Sequence, residues 1–221
     1  MNKKHRLLLF WAKKAESFWY LPAGVSAANC VGAFQAIGAA DLATSYVNLI
    51  TPGTGNLIVS ATGDAPTFDT SYGWAFNGTS NLLETQIVPN NQNWSMMIRF
   101  SESENVTWQA IIGINTTNAN FSIFPQAAAN TVNYYNGGTI QIATRVATGV
   151  LGIAGNKGYR NGNVEAGDMS DWTAANTKKI HIGSSGASVF GPSCKIQAVA
   201  IFNTTLTPTQ MMALYTSMAA L

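Results

Sequence analysis

The chain has 221 residues, 47% of them apolar and only 10% charged, so it is long enough to bury a core and far too apolar for a charged, disordered tail. Its net charge of +2 is unevenly placed: Lys3, Lys4, Arg6, Lys13 and Lys14 give the first fourteen residues +5, and the seven basic and ten acidic residues that follow sum to −3. The body therefore has no basic stripe for nucleic acid, and no apolar run reaches the roughly 20 residues needed to cross a bilayer, so neither partner is expected.

Residues 1–27 read as an arm. The apolar run Leu7 to Ala12 is about six residues long, shorter than the ~7–15 of a secretory signal core, and Lys13 and Lys14 close it, so no cleavable signal peptide is expected. Aromatic residues left in water are unfavourable. Lys3, Lys4, Arg6, Phe10, Trp11, Lys13, Lys14, Phe18 and Trp19 are accordingly the residues expected to dock on an acidic partner surface, either a neighbouring copy or another structural chain. A solvated tail is the alternative reading.

From residue 28 onward, apolar runs of four to eight residues alternate with clusters of Gly, Asn, Pro and Ser, which is the pattern of a sandwich or barrel. Strands are expected at 30–35, 74–77, 82–88, 94–101, 108–115, 120–124, 131–135, 139–148, 150–156, 157–160, 179–182 and 195–202. Asn136-Gly137-Gly138 and Asn161-Gly162 supply the positive φ that tight hairpins require. A helical turn is weakly indicated at 39–46. The one strong helix signal is terminal: Thr207 as N-cap, Pro208 at the first helical position and Gln210 completing a Thr-x-x-Gln capping box. This helix is expected to pack across an edge of the sandwich. The two cysteines, Cys30 and Cys194, each open a strand of one antiparallel pair; a bridge and two buried thiols both remain open.

The order of several short motifs resembles the laminin G-like group of the concanavalin A-like lectin and glucanase superfamily, in its pentraxin-like branch. Trp74-Ala75-Phe76-Asn77-Gly78-Thr79-Ser80-Asn81 fits that group's aromatic-x-Phe-(Asp/Asn)-Gly turn. Trp94 to Phe100 fits its core strand, and Tyr159-Arg160-Asn161-Gly162 its hairpin. His181-Ile182-Gly183, the run Ile196 to Asn203 and Leu206-Thr207-Pro208-Thr209-Gln210 fit its closing strands and helix. The resemblance spans about residues 28–218. It implies an all-β fold, a two-sheet antiparallel jelly-roll β-sandwich with a short C-terminal helix. Chains of this kind, rich in Asn, Thr and Ala, are common among phage structural proteins. The implied function is a structural and adhesive surface module: a virion decoration, fibre-associated or tail-associated protein, in a homo-oligomer or larger assembly, that docks by its arm and contacts host glycans. Its location would be the virion surface or extracellular. A lectin-like module of a bacterial surface protein, with calcium assisting, is the alternative.

The sequence supplies little for catalysis. The superfamily's glucanases carry carboxylates alternating on one strand, and the nearest approach here, Glu102 and Glu104, reads as a polar loop. His181 is the only histidine outside the arm, and no Gly-x-Ser-x-Gly elbow accompanies it, so no enzyme is expected. The resemblance implies a calcium site at the sandwich rim, for which Glu165, Asp168 and Asp171 are the candidate ligands, ordinary loop charges being the alternative. Glycan binding needs an aromatic platform beside amides or carboxylates. Trp108, Tyr134, Tyr135 and Trp172 are the candidates, with Asn105, Asn133, Asn136 and Asp171 as polar neighbours, whereas Trp74 and Trp94 belong to core strand patterns.

Overall fold

A computed structural model describes residues 18–22, 24–114, 116, 120–128, 130–186 and 191–221. Lys3, Lys4, Arg6, Phe10, Trp11, Lys13 and Lys14 lie outside the described residues. The strands are β1 (Cys30–Gln35), β2 (Ile58–Val59), β3 (Thr67–Asp69), β4 (Gly73–Asn77), β5 (Leu83–Glu84), β6 (Ser95–Ser101), β7 (Ile112–Ile114), β8 (Phe121–Phe124), β9 (Thr131–Asn136), β10 (Gly138–Ala143), β11 (Gly149–Ala154), β12 (Lys157–Arg160), β13 (Asn163–Val164), β14 (His181–Ile182) and β15 (Ser193–Phe202). Helices α1 (Leu42–Ser45) and α2 (Pro208–Ala219) complete the set.

These strands make two sheets in which every pairing is antiparallel. The first runs β13-β12-β11-β6-β15-β4-β3, with β1 also on β15, and the second runs β10-β9-β8-β7-β14-β5-β2. The ten residues of β15 make it long enough to take two partners along one edge: its start pairs with β4 and its end with β1, while β6 follows the other edge.

Alternation along each strand decides what is buried. Inward residues of the first sheet, among them Trp74, Ile98, Phe100, Ile153 and Val199, meet Leu83, Ile112, Ile123, Tyr134 and Ile182 of the second in one cluster. The indole of Trp74 is fully buried, and its Nε1–H donates to the buried Ser45 hydroxyl of α1 at 2.7 Å. Gly158 lets the sheets approach: a Cβ there would sit 2.5 Å from the Tyr134 ring, whose hydroxyl donates to the Tyr159 carbonyl at 3.1 Å.

The outer face of the first sheet is apolar as well. Met97, Val150, Ala198, Ala200 and Phe202 pack with Met211, Leu214 and Met218 of α2. The helix thus covers a sheet face, where an edge position was expected. The reason lies in the sequence of β15, whose final residues are apolar on both sides and leave nothing polar to face water. The capping box is present as read, with Thr207 Oγ1 accepting from the Gln210 amide and Gln210 Oε1 from the Thr207 amide. Residues 19–21, assigned to the arm from sequence, share this cluster: Tyr20 is buried in it and its hydroxyl donates to the Leu49 carbonyl at 3.3 Å, while Gln210 donates to the Gly24 carbonyl at 2.8 Å. Among the described residues, no helix is long and apolar enough to cross a membrane.

Cys30 and Cys194 are free, buried thiols near opposite ends of β15, paired in register with Phe202 and with Phe76. Burial pushes both up to about 12, so neither is a reactive thiolate near neutral pH.

Because α2 is held by its apolar face and its cap, Leu214→Ala is expected to lower the unfolding free energy by about 2–5 kcal/mol. Thr207→Ala should cost about 1 kcal/mol. Urea titrations followed by circular dichroism measure both; equal midpoints for wild type and Leu214→Ala would show that the helix does not stabilise the sandwich.

Candidate functional site

Three connections meet at one rim of the sandwich: residues 102–111 between β6 and β7, 125–130 between β8 and β9, and 144–148 between β10 and β11. Backbone hydrogen bonds tie them together. Ser103 donates to Ala147 O at 2.9 Å, Trp108 to Gln126 O at 3.2 Å, Thr144 to Asn130 O at 2.7 Å and Val146 to Pro125 O at 3.0 Å. Side chains add to the lock, with Arg145 Nη2 donating to Ser103 O at 2.8 Å and the Glu102 amide donating to Thr148 Oγ1 at 3.2 Å.

The conformation of this rim is strained. Of the five non-glycine residues with positive φ among the described residues, four lie here: Glu102 (55°), Trp108 (61°), Asn130 (68°) and Thr144 (84°). Asn tolerates that region, whereas a bulky Trp and a β-branched Thr do not adopt it without being held. Such strain, on the order of 1–3 kcal/mol per residue, persists only where surrounding bonds enforce it and clusters at functional sites.

The strain presents Trp108. Its side chain is 51% exposed, although a residue of this size is normally covered. Its ring meets Phe124 edge-on at 6.4 Å between centroids, and Phe124 in turn meets Tyr135 at 5.3 Å. Phe124 and Tyr135 share the outer face of the second sheet, where they form a small cluster with Ala110 and Ala127. Polar groups accompany them: Ser103 Oγ and Gln126 Oε1 are buried with no hydrogen-bond partner among the described residues. An unpaired buried polar atom costs about 1–3 kcal/mol, so both groups gain from any added partner.

The other sequence candidates separate. Tyr134 alternates inward from Tyr135 and is wholly buried, so it faces the core and offers no platform. Trp172 lies at the opposite end of β9, half-buried, with Nε1 donating to Asn136 Oδ1 at 2.6 Å and its amide donating to Gln92 Oε1 at 2.8 Å. It lines a shallow pocket of about 320 Å³ with Asn90, Asn91 and Gln92, but the Gln92 amide is also bonded to Asp171, at 2.6 Å. Asn133 and Asn136 are buried, Asn136 donating to the carbonyls of Gln92 and Gly155.

The carboxylates proposed for calcium have other partners. Glu165 pairs with Arg160 at 2.6 Å, Asp168 with Lys157 at 2.7 Å, and Asp171 accepts from Gln92. Among the described residues no three His, Cys, Asp or Glu side chains gather to hold a metal, so Glu165, Asp168 and Asp171 do not fit the calcium site that the resemblance implied. Glu102 and Glu104 follow β6 in a loop, as read, and Glu102 pairs with Lys195 at 2.6 Å. Phe18 is 51% exposed and stacks on Tyr20 at 5.3 Å, while Trp19 is half-buried.

Sequence reading missed the polar members of the rim, Ser103, Gln126 and Arg145. Nothing local distinguishes them; they become neighbours only because one hairpin and two connections that cross between the sheets converge.

Elsewhere on the second sheet, His181 is 5% exposed, and its Nε2 lies 3.6 Å from Glu84 Oε2, beyond hydrogen-bond length. Neither ring nitrogen has a hydrogen bond of good geometry to a described residue. Burial pushes the imidazole below its ordinary value near 6.5; the Glu84 carboxylate and the Lys179 backbone oppose the shift, and the Lys179 ammonium, paired with Glu84, adds to it.

The sequence matches no protein-family model and no curated protein. Solved structures of similar fold do exist. Domain 4 of an extracellular family 43 arabinanase from Geobacillus stearothermophilus, solved with arabinotriose, aligns at a TM-score of 0.58 and 16% identity over 85% of this chain and 98% of that domain. Trypanosoma rangeli sialidase aligns at 0.59 and 13% identity, over 87% of this chain but 33% of the sialidase. The binding domain of botulinum neurotoxin serotype D aligns at 0.58 and 14%, over 86% of this chain and 51% of that one. The chain therefore spans almost all of the arabinanase domain and about a third of the sialidase. At these identities the likeness establishes the fold, an antiparallel β-sandwich.

His181 sets a pH dependence. A neutral, buried imidazole with a lowered folded value means that unfolding takes up a proton below about pH 6.5, so stability present above that pH is lost as the pH falls toward the folded value. Between pH 7.5 and 5.5 the urea midpoint of wild type is expected to fall more steeply than that of His181→Gln. Parallel slopes would show that His181 is not the titrating group.

Proposed function

We propose that this chain is a non-catalytic carbohydrate-binding module and that the three-loop rim is its binding edge. The observation that carries the reading is Trp108, a half-exposed indole held at φ 61° by a bond to Gln126. A flat apolar ring beside polar groups suits a sugar, whose C–H face packs on the ring while its hydroxyls take hydrogen bonds. Arg145, whose guanidinium has donors beyond the one given to Ser103 O, is the polar group at hand. The arabinanase domain and its arabinotriose support the reading by analogy of fold. Calcium takes no part in this proposal, since the carboxylates expected to bind it are held by Arg160, Lys157 and Gln92. Catalysis takes no part in this proposal either: of the two rim glutamates, Glu102 and Glu104, the first is paired with Lys195 at 2.6 Å.

A second reading concerns deployment. Phe18 is exposed where the basic arm meets the domain, and its ring stacks on the buried Tyr20. In this reading the domain proper begins near residue 18 and residues 1–17 dock on another chain, making the protein an adhesive component of an assembly such as a virion. The low charge content and the resemblance to laminin G-like proteins of phage particles support it.

A glycan array probed with the whole chain, with and without calcium, tests the first reading. Oligosaccharide binding is expected in both conditions, and Trp108→Ala should weaken it by at least about tenfold, or ~1.4 kcal/mol, without changing the urea midpoint by more than about 0.5 kcal/mol equivalent. An array with no hits, or hits insensitive to Trp108→Ala, would refute the rim as the binding edge. Removal of residues 1–17 tests the second reading: loss of self-association or partner capture with an unchanged melting curve is expected, and unaltered assembly would refute docking by the arm.

A further inference from the structure

We propose a second site, on the opposite sheet from Tyr135, that binds a carboxylate-bearing sugar unit. A cleft of about 330 Å³ lies between the outer face of the first sheet and the last turns of α2, lined by Arg99, Ser101, Thr148, Asn161, Gln197 and Tyr215 among others. That volume is in the range of small-ligand pockets and suits a single sugar ring.

Arg99 is the group that selects the ligand. It stands on β6, flanked in register by Val150 of β11 and Ala198 of β15, so rigid sheet holds its backbone on both sides. Its Nη1 donates to the Met218 carbonyl at 3.0 Å, which satisfies one helix C-terminal acceptor and uses one of the five guanidinium N–H donors. Arg99 is half-buried, and among the described residues no carboxylate lies within ion-pair distance of it; Glu84, Glu102, Glu165 and Asp168 pair with other cations. A partly desolvated guanidinium with donors to spare is a site for a planar anion, and the fork geometry fits carboxylate in particular.

The surroundings suit the rest of a sugar. Within the β15 and β6 pairing, Ile196 faces Phe100 and Ala198 faces Arg99, so Gln197 is an extra residue in a β-bulge beside Arg99. Bulges re-aim a side chain, and Gln197 lines the cleft, its backbone carbonyl turned the other way to accept from the Ala36 and Ile37 amides at 2.9 and 3.0 Å. The Asn161 carbonyl oxygen accepts from the Val150 amide at 3.0 Å, leaving its NH₂ group for a ligand hydroxyl. Gly149, at φ 151°, keeps that arrangement open, since a Cβ there would lie 3.1 Å from Asn161 Oδ1. Tyr215 supplies a ring wall from α2. A hydrophobic ligand would leave these amides unpaired, and a bare inorganic anion would use only the arginine.

The test is ¹⁵N chemical-shift titration of the full chain with methyl β-D-glucuronide, methyl β-D-glucoside and inorganic phosphate. The glucuronide is expected to shift resonances around Arg99, Gln197 and Asn161 and to bind at least about tenfold more tightly than either control. Arg99→Lys, which keeps the charge but loses the fork, should weaken it by about tenfold, and Gln197→Ala, which spares the Met218 contact, by several-fold. Trp108→Ala should leave it unchanged, so failure here and failure of the rim proposal are read separately. Equal affinity for glucoside or phosphate, no shifts near Arg99, or indifference to both Arg99→Lys and Gln197→Ala would overturn the proposal.

Discussion

One strand organises the molecule. The ten residues of β15 lie between β6 on one edge and β4 followed by β1 on the other, so the end of the chain joins three segments that lie far back in the sequence. Its inward side chains anchor the inter-sheet core, and its outward alanines and Phe202 receive α2. Nothing here is local: the strand orders only when three distant partners are present, and they lack a central partner without it. The irregularity within β15 itself, the bulge at Gln197, falls beside Arg99, where the outer face opens into a cleft; a second register shift, in its ladder with β1, lies between Cys30 and Gly32.

The two sheets differ on their outer faces, and that difference decides which face the rest of the chain covers. On the first, apolar residues at alternate positions demand a cover, and α2 together with residues 19–21 provides it. On the second, the outward row in register is Glu84, His181, Gly113, Ser122 and Tyr135, which helix packing would not suit. The three connections at its rim instead bond to one another. Their mutual hydrogen bonds hold left-handed Trp108 and Thr144, and the exposed indole is the product of that constraint rather than of poor packing.

The parts of the fold that were legible in sequence are those governed by short-range rules. The capping box at Thr207 marked the start of α2, Asn161-Gly162 marked a hairpin whose residues take φ of 48° and 77°, and the strands expected at 30–35 and 157–160 form over just those residues. Three strands escaped, β2, β3 and β13, each of two or three residues and too short for a period of two to register. The run at 82–88 pairs as strand only over Leu83–Glu84, and that at 139–148 only to Ala143, because partner strands end there. The placement of α2 on a face was not legible, since it depends on what the outside of β15 leaves uncovered. For the site, an aromatic near an Asn-rich loop was readable at Trp108 and Tyr135, but the inward turn of Tyr134 and the commitment of Glu165 and Asp168 to Arg160 and Lys157 are properties of register and hairpin geometry.

The account rests on Trp108 being the aromatic group that meets ligand. The chain has six tryptophans, so incorporation of 5-fluorotryptophan with assignment by single substitution gives each a separate ¹⁹F resonance. Addition of a bound oligosaccharide should move the Trp108 signal progressively to saturation while those of buried Trp74 and Trp94 stay fixed. A titration that instead moves Trp172, with Trp108 unchanged, would contradict the assignment of the rim.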